Sequence, residues 1–263
     1  MQVVRALILL AVASAAACNK QTAKEAPARP PAAADERGYV APPELLRVIA
    51  RAGGQLELAG SAPPGARVNL ATPAGPVGSV VADPDGGWRL VTASAGEARL
   101  LGLSMSNGGR LIQAKGYLFV APDGVAARLR AGGGSEAFTG APGGLAVTAM
   151  DYDQQLAATL SGRAAPGETV RLRVDGVGRG EASADAQGRF VLPLNELAAG
   201  AHDFDLAGGR GEIHFSTTID LPASLVGAPF RAARQGTGWR VDWLTPGGGE
   251  QTTLVFAPAG GQP

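Results

Sequence analysis

The sequence predicts an all-β fold of two tandem β-sandwiches and a C-terminal β-hairpin, preceded by a signal peptide and a disordered tether. Three observations predict it. The chain of 263 residues contains 39 Gly and 19 Pro and only 17% charged residues, a composition typical of many turns and few solvated helices. Apolar residues alternate with polar ones at the period of two expected for half-buried strands. A window of 33 residues recurs 102 positions further along the chain, which indicates a duplicated unit.

The charge balance and the scarcity of metal-binding residue types exclude several classes of function. The 23 basic and 23 acidic side chains give a formal net charge of zero, so the chain lacks the excess cations that bind a nucleic-acid backbone. One cysteine cannot form an intramolecular disulfide, and one cysteine with two histidines is too few for a four-ligand zinc site without carboxylates. We expect no nucleic-acid partner, no bound metal and no cofactor.

Residues 1–17 have the three-part layout of an export signal. Arg5 supplies a positive charge, and the apolar run 6–13 is shorter than the roughly 20 residues that span a bilayer. Three alanines then precede Cys18, the only cysteine of the chain. This arrangement resembles the lipobox of bacterial lipoproteins. The resemblance implies that the signal is removed and that Cys18 is the lipid attachment site, which makes the membrane one expected partner.

Two details of this terminus bear on location. Ala15 stands where the lipobox usually has leucine, and Ala15 and Ala17 also satisfy the small-x-small rule for ordinary signal cleavage. That alternative gives a soluble periplasmic or secreted protein. Asn19 follows the cysteine at the position where aspartate favours inner-membrane retention. The resemblance therefore implies an outer-membrane lipoprotein of the cell envelope that faces the periplasm.

Residues 18–43 are expected to form the lipid-anchored linker. They consist of alanine, proline and small polar or charged residues, with almost no large apolar side chains. Such a segment cannot bury enough surface to offset its ordering entropy. We expect a disordered, partly extended tether that spaces the folded part from the lipid by at most about 3 Å per residue.

The repeat carries the signature of two equivalent β-domains. Each copy has a Pro-Gly turn, an alternating strand, and an Ala-Asp…Gly turn followed by an inward-facing aromatic residue, Trp88 or Phe190. The two copies are identical at twelve of 33 positions. In the first copy these are Leu58, Gly60, Ala62, Pro64, Gly65, Val68, Leu70, Gly78, Ala82, Asp83, Gly86 and Leu90.

This pattern resembles the bacterial immunoglobulin-like (Big-type) domains that occur in tandem on exported proteins. The second copy carries all three of their elements, including the Gly200-Ala201-His202 strand opening, whereas the first copy lacks that histidine. The resemblance implies two Ig-like domains, at residues 44–130 and 145–222. It says little about activity, because such sandwiches serve adhesion, spacing and sugar recognition alike.

The remaining segments are assigned by local pattern. The Gly-rich stretch 131–144 predicts a flexible linker that allows the two domains to reorient. Residues 42–51 fit one short helix, with Pro43 in its first turn, and an initial strand fits nearly as well. Residues 223–263 form the C-terminal hairpin and tail, because 239–243 alternate strictly and a Pro-Gly turn leads into 252–256.

No residue constellation in the sequence predicts catalysis. His202 and His214 lack partners at catalytic or metal-ligating spacing, and no nucleophile elbow, phosphate loop or dinucleotide motif occurs. Asp83 and Asp85 resemble the start of a calcium loop, but the later ligands are missing, and a hairpin turn is favoured. Turn chemistry is likewise favoured over metal ligation for residues 151–153. We expect a protein that is not an enzyme.

Three aromatic residues near the C-terminus, Trp239, Trp243 and Phe256, are the candidate binding residues. Aromatic content is only 5%, so this cluster is unusual for the chain. On one face of a hairpin, Trp239 and Trp243 are able to form a stacking platform for sugar rings. The more common outcome for such a stripe is packing onto the neighbouring sandwich, with Arg240 and Asp242 facing outward.

These expectations combine into a non-catalytic, lipid-anchored envelope protein that acts as a structural, spacer or protein-interaction module. The expected partner is an envelope protein or a peptidoglycan-associated assembly, bound through strand edges or end loops. The alternative is a carbohydrate-binding envelope module that uses the Trp239/Trp243 aromatic face.

Overall fold

Antiparallel β-strands supply all the regular structure of the part of the chain that the structure describes. A computed structural model describes residues 39–51, 55–93, 96–138, 144–195, 197–209 and 211–257. From Val40 onward the chain packs as one unit. The predicted all-β fold is confirmed. None of these described residues belongs to a helix long and apolar enough to cross a bilayer.

The first sandwich contains ten strands in two sheets. One sheet has the order β1-β2-β5, and the other has the order β10-β9-β8-β6-β3-β4 with β7 beside β6. The strands are β1 (Glu44–Arg51), β2 (Gln55–Ser61), β3 (Arg67–Thr72), β4 (Gly75–Val81), β5 (Gly87–Ala93), β6 (Arg99–Asn107), β7 (Arg110–Gln113), β8 (Tyr117–Val120), β9 (Ala126–Leu129) and β10 (Glu136–Ala137).

The second sandwich also has ten strands, divided differently between its two sheets. Its sheets have the orders β15-β12-β11-β20-β19-β18 and β14-β13-β16-β17. The strands are β11 (Ala146–Asp153), β12 (Ala158–Arg163), β13 (Thr169–Val174), β14 (Val177–Ser183), β15 (Arg189–Leu194), β16 (Gly200–Gly208), β17 (Gly211–Ile219), β18 (Phe230–Gln235), β19 (Gly238–Leu244) and β20 (Glu250–Val255). The bounds of β1, β3 and β4 recur in β11, β13 and β14 with an offset of 102 residues.

The turns that the repeat predicts form as the residue types require. Gly65 and Gly167 have φ values of 74° and 75°, which a residue with a Cβ rarely adopts. The Asp83 carboxylate accepts hydrogen bonds from the N–H groups of Asp85 and Gly87, at 3.0 and 2.7 Å. Asp185 closes the equivalent turn of the second copy in the same way. The hairpin-turn interpretation of Asp83 and Asp85 therefore describes what these carboxylates do.

Residues 44–51 form a strand, so the strand alternative for this segment is confirmed and the helix alternative is not. Leu45 and Val48 both face the core, although they are three residues apart. The cause is a β-bulge between Leu45 and Arg47, which shifts the alternation of the strand by one residue. A spacing of three between buried residues imitates a helix in the sequence.

Part of the Gly-rich stretch 131–144 is built into the fold. Its residues 131–138 form a turn and strand β10, which pairs with β9. Ser135 is fully buried, and its N–H and hydroxyl both donate to the carboxylate of Asp151. Residues 139–143 lie outside the described chain. Residues 131–138 are packed into the fold, so they do not form a flexible joint between the two sandwiches.

Three separate hydrophobic cores hold the unit together. One lies between the two sheets of the first sandwich around Trp88, and a second lies between the sheets of the second sandwich around Phe190 and Phe204. The third lies between the sandwiches: Phe119 and Leu129 of the first pack with Val241, Trp243 and Val255 of the second. The two repeats therefore share a buried interface.

The C-terminal segment is part of the second sandwich. The predicted hairpin is present as β18, β19 and β20, and β20 pairs along β11 from Ala149 with Val255 to Asp153 with Gln251. These strands extend one sheet of the second sandwich to six strands. They also provide that sheet's contact with the first sandwich.

Candidate functional site

Trp243 lies at the centre of the core between the sandwiches. Its side chain is fully buried, and its indole N–H donates to the Thr253 hydroxyl at 3.1 Å. The ring of Tyr117 from β8 meets the indole edge-on, with 5.8 Å between centroids. Trp243 is thus packed between two domains, and it presents no face to a ligand ring.

Trp239 lies at the half-buried margin of the same core. Its ring packs near Phe119, with 6.0 Å between centroids, and the Arg234 guanidinium lies 4.9 Å from its centroid. The indole N–H lies 3.3 Å from the Asp123 carboxylate, which also forms an ion pair with Arg234 at 2.5 Å. Arg234 therefore covers a face of the indole, as cation–π contacts commonly do.

Phe256 belongs to a different core from the two tryptophans. Its ring meets Phe215 edge-on at 5.2 Å, and Phe215 stacks on Phe204 at 4.9 Å inside the second sandwich. Its N–H donates to the carbonyl of Thr148 at 3.1 Å, which extends the pairing of β20 with β11. The three candidate binding residues thus do not share a surface, and the platform needed by the sugar-binding alternative is not formed by this geometry.

Cys18 and the predicted signal and tether up to residue 38 lie outside the described chain. Arg240 and Asp242, predicted to face outward, are instead largely buried. The Asp242 side chain is only 4% exposed, and Arg240 contacts it at 3.0 Å. Thr252 donates a second hydrogen bond to Asp242 at 2.5 Å. The outward prediction is wrong because this face is covered by the chain around Leu221, whose carbonyl accepts from Arg240 at 2.9 Å.

Asp151 is a buried carboxylate that sequence reasoning assigned to a turn. It lies within β11 at the domain interface and accepts four hydrogen bonds. Burial raises the pKa of Asp151, while the hydrogen bonds from Ser135, Thr253 and Gln251 act in the opposite direction. Asp153 does form the expected turn, accepting from the N–H groups two and four residues further on.

The two histidines each pair with one aspartate on the second sandwich. His202 contacts the Asp175 carboxylate at 2.7 Å and the Ala198 carbonyl at 2.9 Å. Burial opposes protonation of His202, but these two acceptors outweigh it and raise its pKa. The hydrogen bond to Asp205, at 2.8 Å, raises the pKa of His214. The His202 side chain thus connects β16 to the turn after β13, and the His214 side chain connects β17 to β16.

The described residues contain no group of three or more His, Cys, Asp or Glu side chains placed to hold a metal ion. The surface of the β1-β2-β5 sheet carries a different cluster, which we call the arginine cluster: Arg47, Arg51 and Arg89 around Glu57. Glu57 is 4% exposed, and it contacts Arg51 directly, Arg89 at 3.4 Å and Arg47 at 4.0 Å. The Arg51 hydrogen bond lowers the pKa of Glu57. Three cations around one carboxylate leave this face positive.

A cavity of about 450 Å³ opens beside the start of β1. We call it the β1 cavity. Its lining combines apolar side chains with polar and charged ones, Glu44 and Gln187 among them. The lining includes Leu45, Leu46, Leu58, Leu70, Trp88, Leu90, Leu103, Tyr117, Lys115, Arg128, Arg130 and Arg189.

Two polar groups at the β1 cavity bear on what it can hold. The indole N–H of Trp88 is buried, and no acceptor among the described residues lies within hydrogen-bonding distance of it. Arg128 donates to the Leu45 carbonyl at 2.6 Å, across the gap between β9 and β1. A volume in this range, lined by both apolar and polar side chains, is large enough to hold a ligand group.

Comparisons with known proteins find only distant similarity in structure. A biofilm-associated protein BSP domain is 11% identical, covering 71% of this chain and 30% of its own, with a TM-score of 0.26. The central fibronectin-III array of RIM-binding protein is 10% identical, covering 82% and 89%, with a TM-score of 0.26. Invasin, a bacterial integrin-binding protein, is 12% identical, covering 81% and 54%, with a TM-score of 0.23.

No protein-family model matches the chain, and no curated protein matches it. The chain spans less than a third of the length of the biofilm-associated structure. TM-scores this low carry no argument about function. The sandwich fold therefore rests on the strand order and on the cores themselves.

Sequence reasoning missed the β1 cavity, the arginine cluster and the burial of Asp151. The cavity is lined by residues from Pro42 to Arg189, which no local pattern brings together. The arginine cluster does leave a signal, because alternate residues on β1 and β5 share one face of a sheet. For Asp151 the signal is its place in β11, between the apolar residues Met150 and Tyr152.

Proposed function

We propose that this protein is a non-catalytic, lipid-anchored protein of the bacterial outer membrane whose folded part binds a protein partner in the envelope. The one observation that carries the binding role is that β1 pairs with β2 alone among the described strands, whereas its counterpart β11 pairs on both sides. An unpaired strand edge presents backbone donors and acceptors to another chain.

The shared core supports the same role. Because Trp243 and its neighbours fill the space between the sandwiches, the β1 edge is held on a rigid body. A rigid site binds with less loss of conformational entropy than a mobile one. Leu46, 62% exposed, and Tyr39, 72% exposed, place apolar surface at the start of this edge.

The anchor is tested by comparing wild type with Cys18→Ser after expression in a Gram-negative host. We expect the wild type to carry the acyl mass and to fractionate with the outer membrane, because several acyl chains make attachment effectively permanent. The variant is expected to lose both properties. A wild type that is unmodified and soluble would instead support ordinary signal cleavage after Ala17.

Partner binding is tested in cells with a photo-crosslinking residue at Ile49, on the open strand. Val177, 58% exposed on the second sandwich, is the matched control position. We expect one specific crosslinked band from position 49, identified by mass spectrometry, and none from position 177. Equal labelling from both positions would contradict a binding site at this edge.

A further inference from the structure

We infer, on the basis of the proposed binding role, that the partner is recognised by strand addition. An extended, acidic segment of the partner pairs antiparallel with β1 and inserts a large apolar side chain into the β1 cavity. The second repeat provides the geometry for this arrangement, because its strand β20 pairs antiparallel with β11, the counterpart of β1.

The template is the pairing of β20 with β11. Residues Ala149 to Asp153 of β11 face Val255 to Gln251 of β20, and the Phe256 N–H continues the ladder to the Thr148 carbonyl. The offset of 102 maps this part of β11 onto residues 47–51 of β1. Since hydrogen-bonded pairs alternate along an antiparallel ladder, Val48 and Ala50 present their backbone groups to the open edge.

The β1 cavity lies where the second repeat has its aromatic cluster. In the second repeat Ile213 pairs with Leu206, and in the first repeat Ala114 donates to Leu103 at the matching level. Two residues beyond Ile213 is Phe215, which Phe256 of the added strand contacts. The residue of the first repeat that matches Phe215 by strand pairing is Leu118, because Leu118 pairs with Leu101 as Phe215 pairs with Phe204. Leu118 lines the cavity, so an aliphatic side chain stands where the second repeat has an aromatic ring.

Gly116 also lines the cavity and contributes no side chain to it. Its φ is 80°, and a Cβ would lie 2.2 Å from the Leu129 carbonyl oxygen. The cavity is therefore of a kind that a side chain from an added strand fills, as Phe256 does in the second repeat.

The positive charge along β1 favours acidic side chains on the added strand. Opposite Arg47 and Arg51, the template strand has the positions of Val255 and Gln251. Carboxylates at those two positions would form cross-strand ion pairs with the exposed arginines. The cavity lining has four basic side chains, Lys115, Arg128, Arg130 and Arg189, against the single carboxylate of Glu44, which leaves it positive. The preferred segment therefore alternates acidic residues along its outer face.

The predicted tether and the last residues do not fit this role. Residues 19–38 include no aromatic, Val, Ile, Leu or Met side chain, and residues 258–263 include none either. The β20 strand is already paired within the second sandwich. The proposed occupant is an extended segment of a different protein.

The test uses a synthetic peptide with the sequence of residues 249–257 and the substitutions Gln251→Glu and Val255→Glu. It is titrated by fluorescence anisotropy into the full chain carrying Cys18→Ser. Amide hydrogen exchange locates the bound peptide. We expect added protection on β1 and none on β11, because the β11 edge is occupied.

Methylation of the peptide backbone distinguishes strand pairing from non-specific binding. Methylating the Leu254 nitrogen removes a hydrogen bond directed at β1, whereas the Thr253 nitrogen points away from it. We expect the first change to weaken binding at least about tenfold and the second to have little effect. The change Phe256→Ala should also weaken binding, since it removes the group that enters the cavity.

Variants of the protein test the charge and the cavity separately. The double substitution Arg47→Glu with Arg51→Glu should lower the affinity for the acidic peptide by about twofold to fivefold for each arginine. High salt should lower this affinity as well. Arg67→Glu with Arg179→Glu makes the same change of charge elsewhere and serves as the control. Ala114→Phe, which fills the cavity from within, should weaken binding without lowering the thermal midpoint below that of Ala114→Val.

Three outcomes overturn strand addition: no protection on β1, equal loss of binding with both methylated peptides, or protection on β11 from exchange with β20. If the peptide fails while position 49 still crosslinks one partner in cells, the binding role stands and the strand mechanism falls. If neither experiment detects binding, the proposed function falls with it.

Discussion

At the scale of single residues, the geometry that the two repeats share depends on glycines at positions where two backbones lie close together. A Cβ at Gly162 would lie 2.2 Å from the Ala146 carbonyl oxygen and 2.3 Å from the Phe190 ring. A Cβ at Gly60 would lie 1.9 Å from the Glu44 carbonyl oxygen. The inward aromatic residue of each repeat thus packs on a strand position that only glycine fits.

We expect Gly162→Ala to destabilise the fold by about 1–3 kcal/mol, because the methyl group must displace either the β11 backbone or the ring of Phe190. Gly178→Ala is the matched control, since its Cβ would meet no atom within 4 Å. It should change the free energy of unfolding by less than about 0.5 kcal/mol. Urea denaturation measures both values, and similar midpoints for the two variants would refute the close-packing argument.

The histidines provide a pH-dependent prediction at the same scale. The pKa of His202 is raised above its ordinary 6.5, so its contribution to stability is fully present below that value and is lost as the pH rises through the native pKa. The pKa of Asp175 is lowered, through the Asp203 N–H and then His202. Its contribution is present above the ordinary carboxyl pKa and is lost as the pH falls through the native one.

NMR titration of the two imidazoles tests this pairing. Both should titrate above 6.5 in the wild type. Asp175→Asn should lower the pKa of His202 and leave His214 unchanged, and Asp205→Asn should do the reverse. Asparagine suits position 175, where φ is 52°, because it tolerates the left-handed region. An unchanged His202 pKa in Asp175→Asn would show that the carboxylate is not the cause.

At the scale of elements, β18, β19 and β20 have two tasks. The strand β20 closes the edge of the second sandwich by pairing with β11. The face of β19 and β20 that packs on the first sandwich supplies Val241, Trp243 and Val255 to the shared core. The first sandwich has no strand at the position of β20 among its described elements. At this edge the repeats therefore differ by the three strands β18, β19 and β20.

Ending the chain after Pro222 should open the β11 edge and expose the shared core. We expect the shortened protein to lose amide protection on β11, to bind an apolar dye and to self-associate, because unpaired edges and apolar patches both promote association. A chain ending at Ala257 keeps every described strand and is the control. Full protection of β11 in the shorter form would mean that β20 is not needed to hold that strand.

At the scale of the whole molecule, the buried interface makes the two repeats one mechanical unit. Asp151 connects them, because it accepts hydrogen bonds from Ser135 of the segment after β9 and from Thr253 of β20. Arg163 of β12 also contacts Glu136 of β10 at 2.6 Å. Buried polar contacts of this kind fix the relative orientation of the parts that they join.

We expect the two sandwiches to unfold in one cooperative transition, and Trp243→Ala to weaken that coupling. The substitution leaves a cavity in the shared core and should cost about 3–5 kcal/mol. Val177→Ala, on an exposed strand, should cost less than about 0.5 kcal/mol. Hydrogen exchange of amides in β3 and β13 measures both sandwiches at once. Two separate transitions in the wild type would contradict the single unit.

Much of the fold is predictable because its cause is local. Pro-Gly turns and Asp…Gly turns require particular residues, and a period of two marks each strand, so the duplicated strands follow from short windows of sequence. The sequence leaves helix and strand both open for residues 42–51 for a local reason as well, since the bulge after Leu45 gives buried residues a spacing of three.

The sequence by itself therefore determined the all-β class, the duplication, the turns and the inward aromatic of each repeat, since each depends on neighbours a few residues away. Only the tertiary structure decided that Trp243 is buried, that Asp151 lies in an interface and that β1 borders a cavity. Those features depend on residues about 100 positions apart, such as Asp151 and Thr253, whose proximity follows from which sheet faces pack together. Residue types alone do not specify that packing.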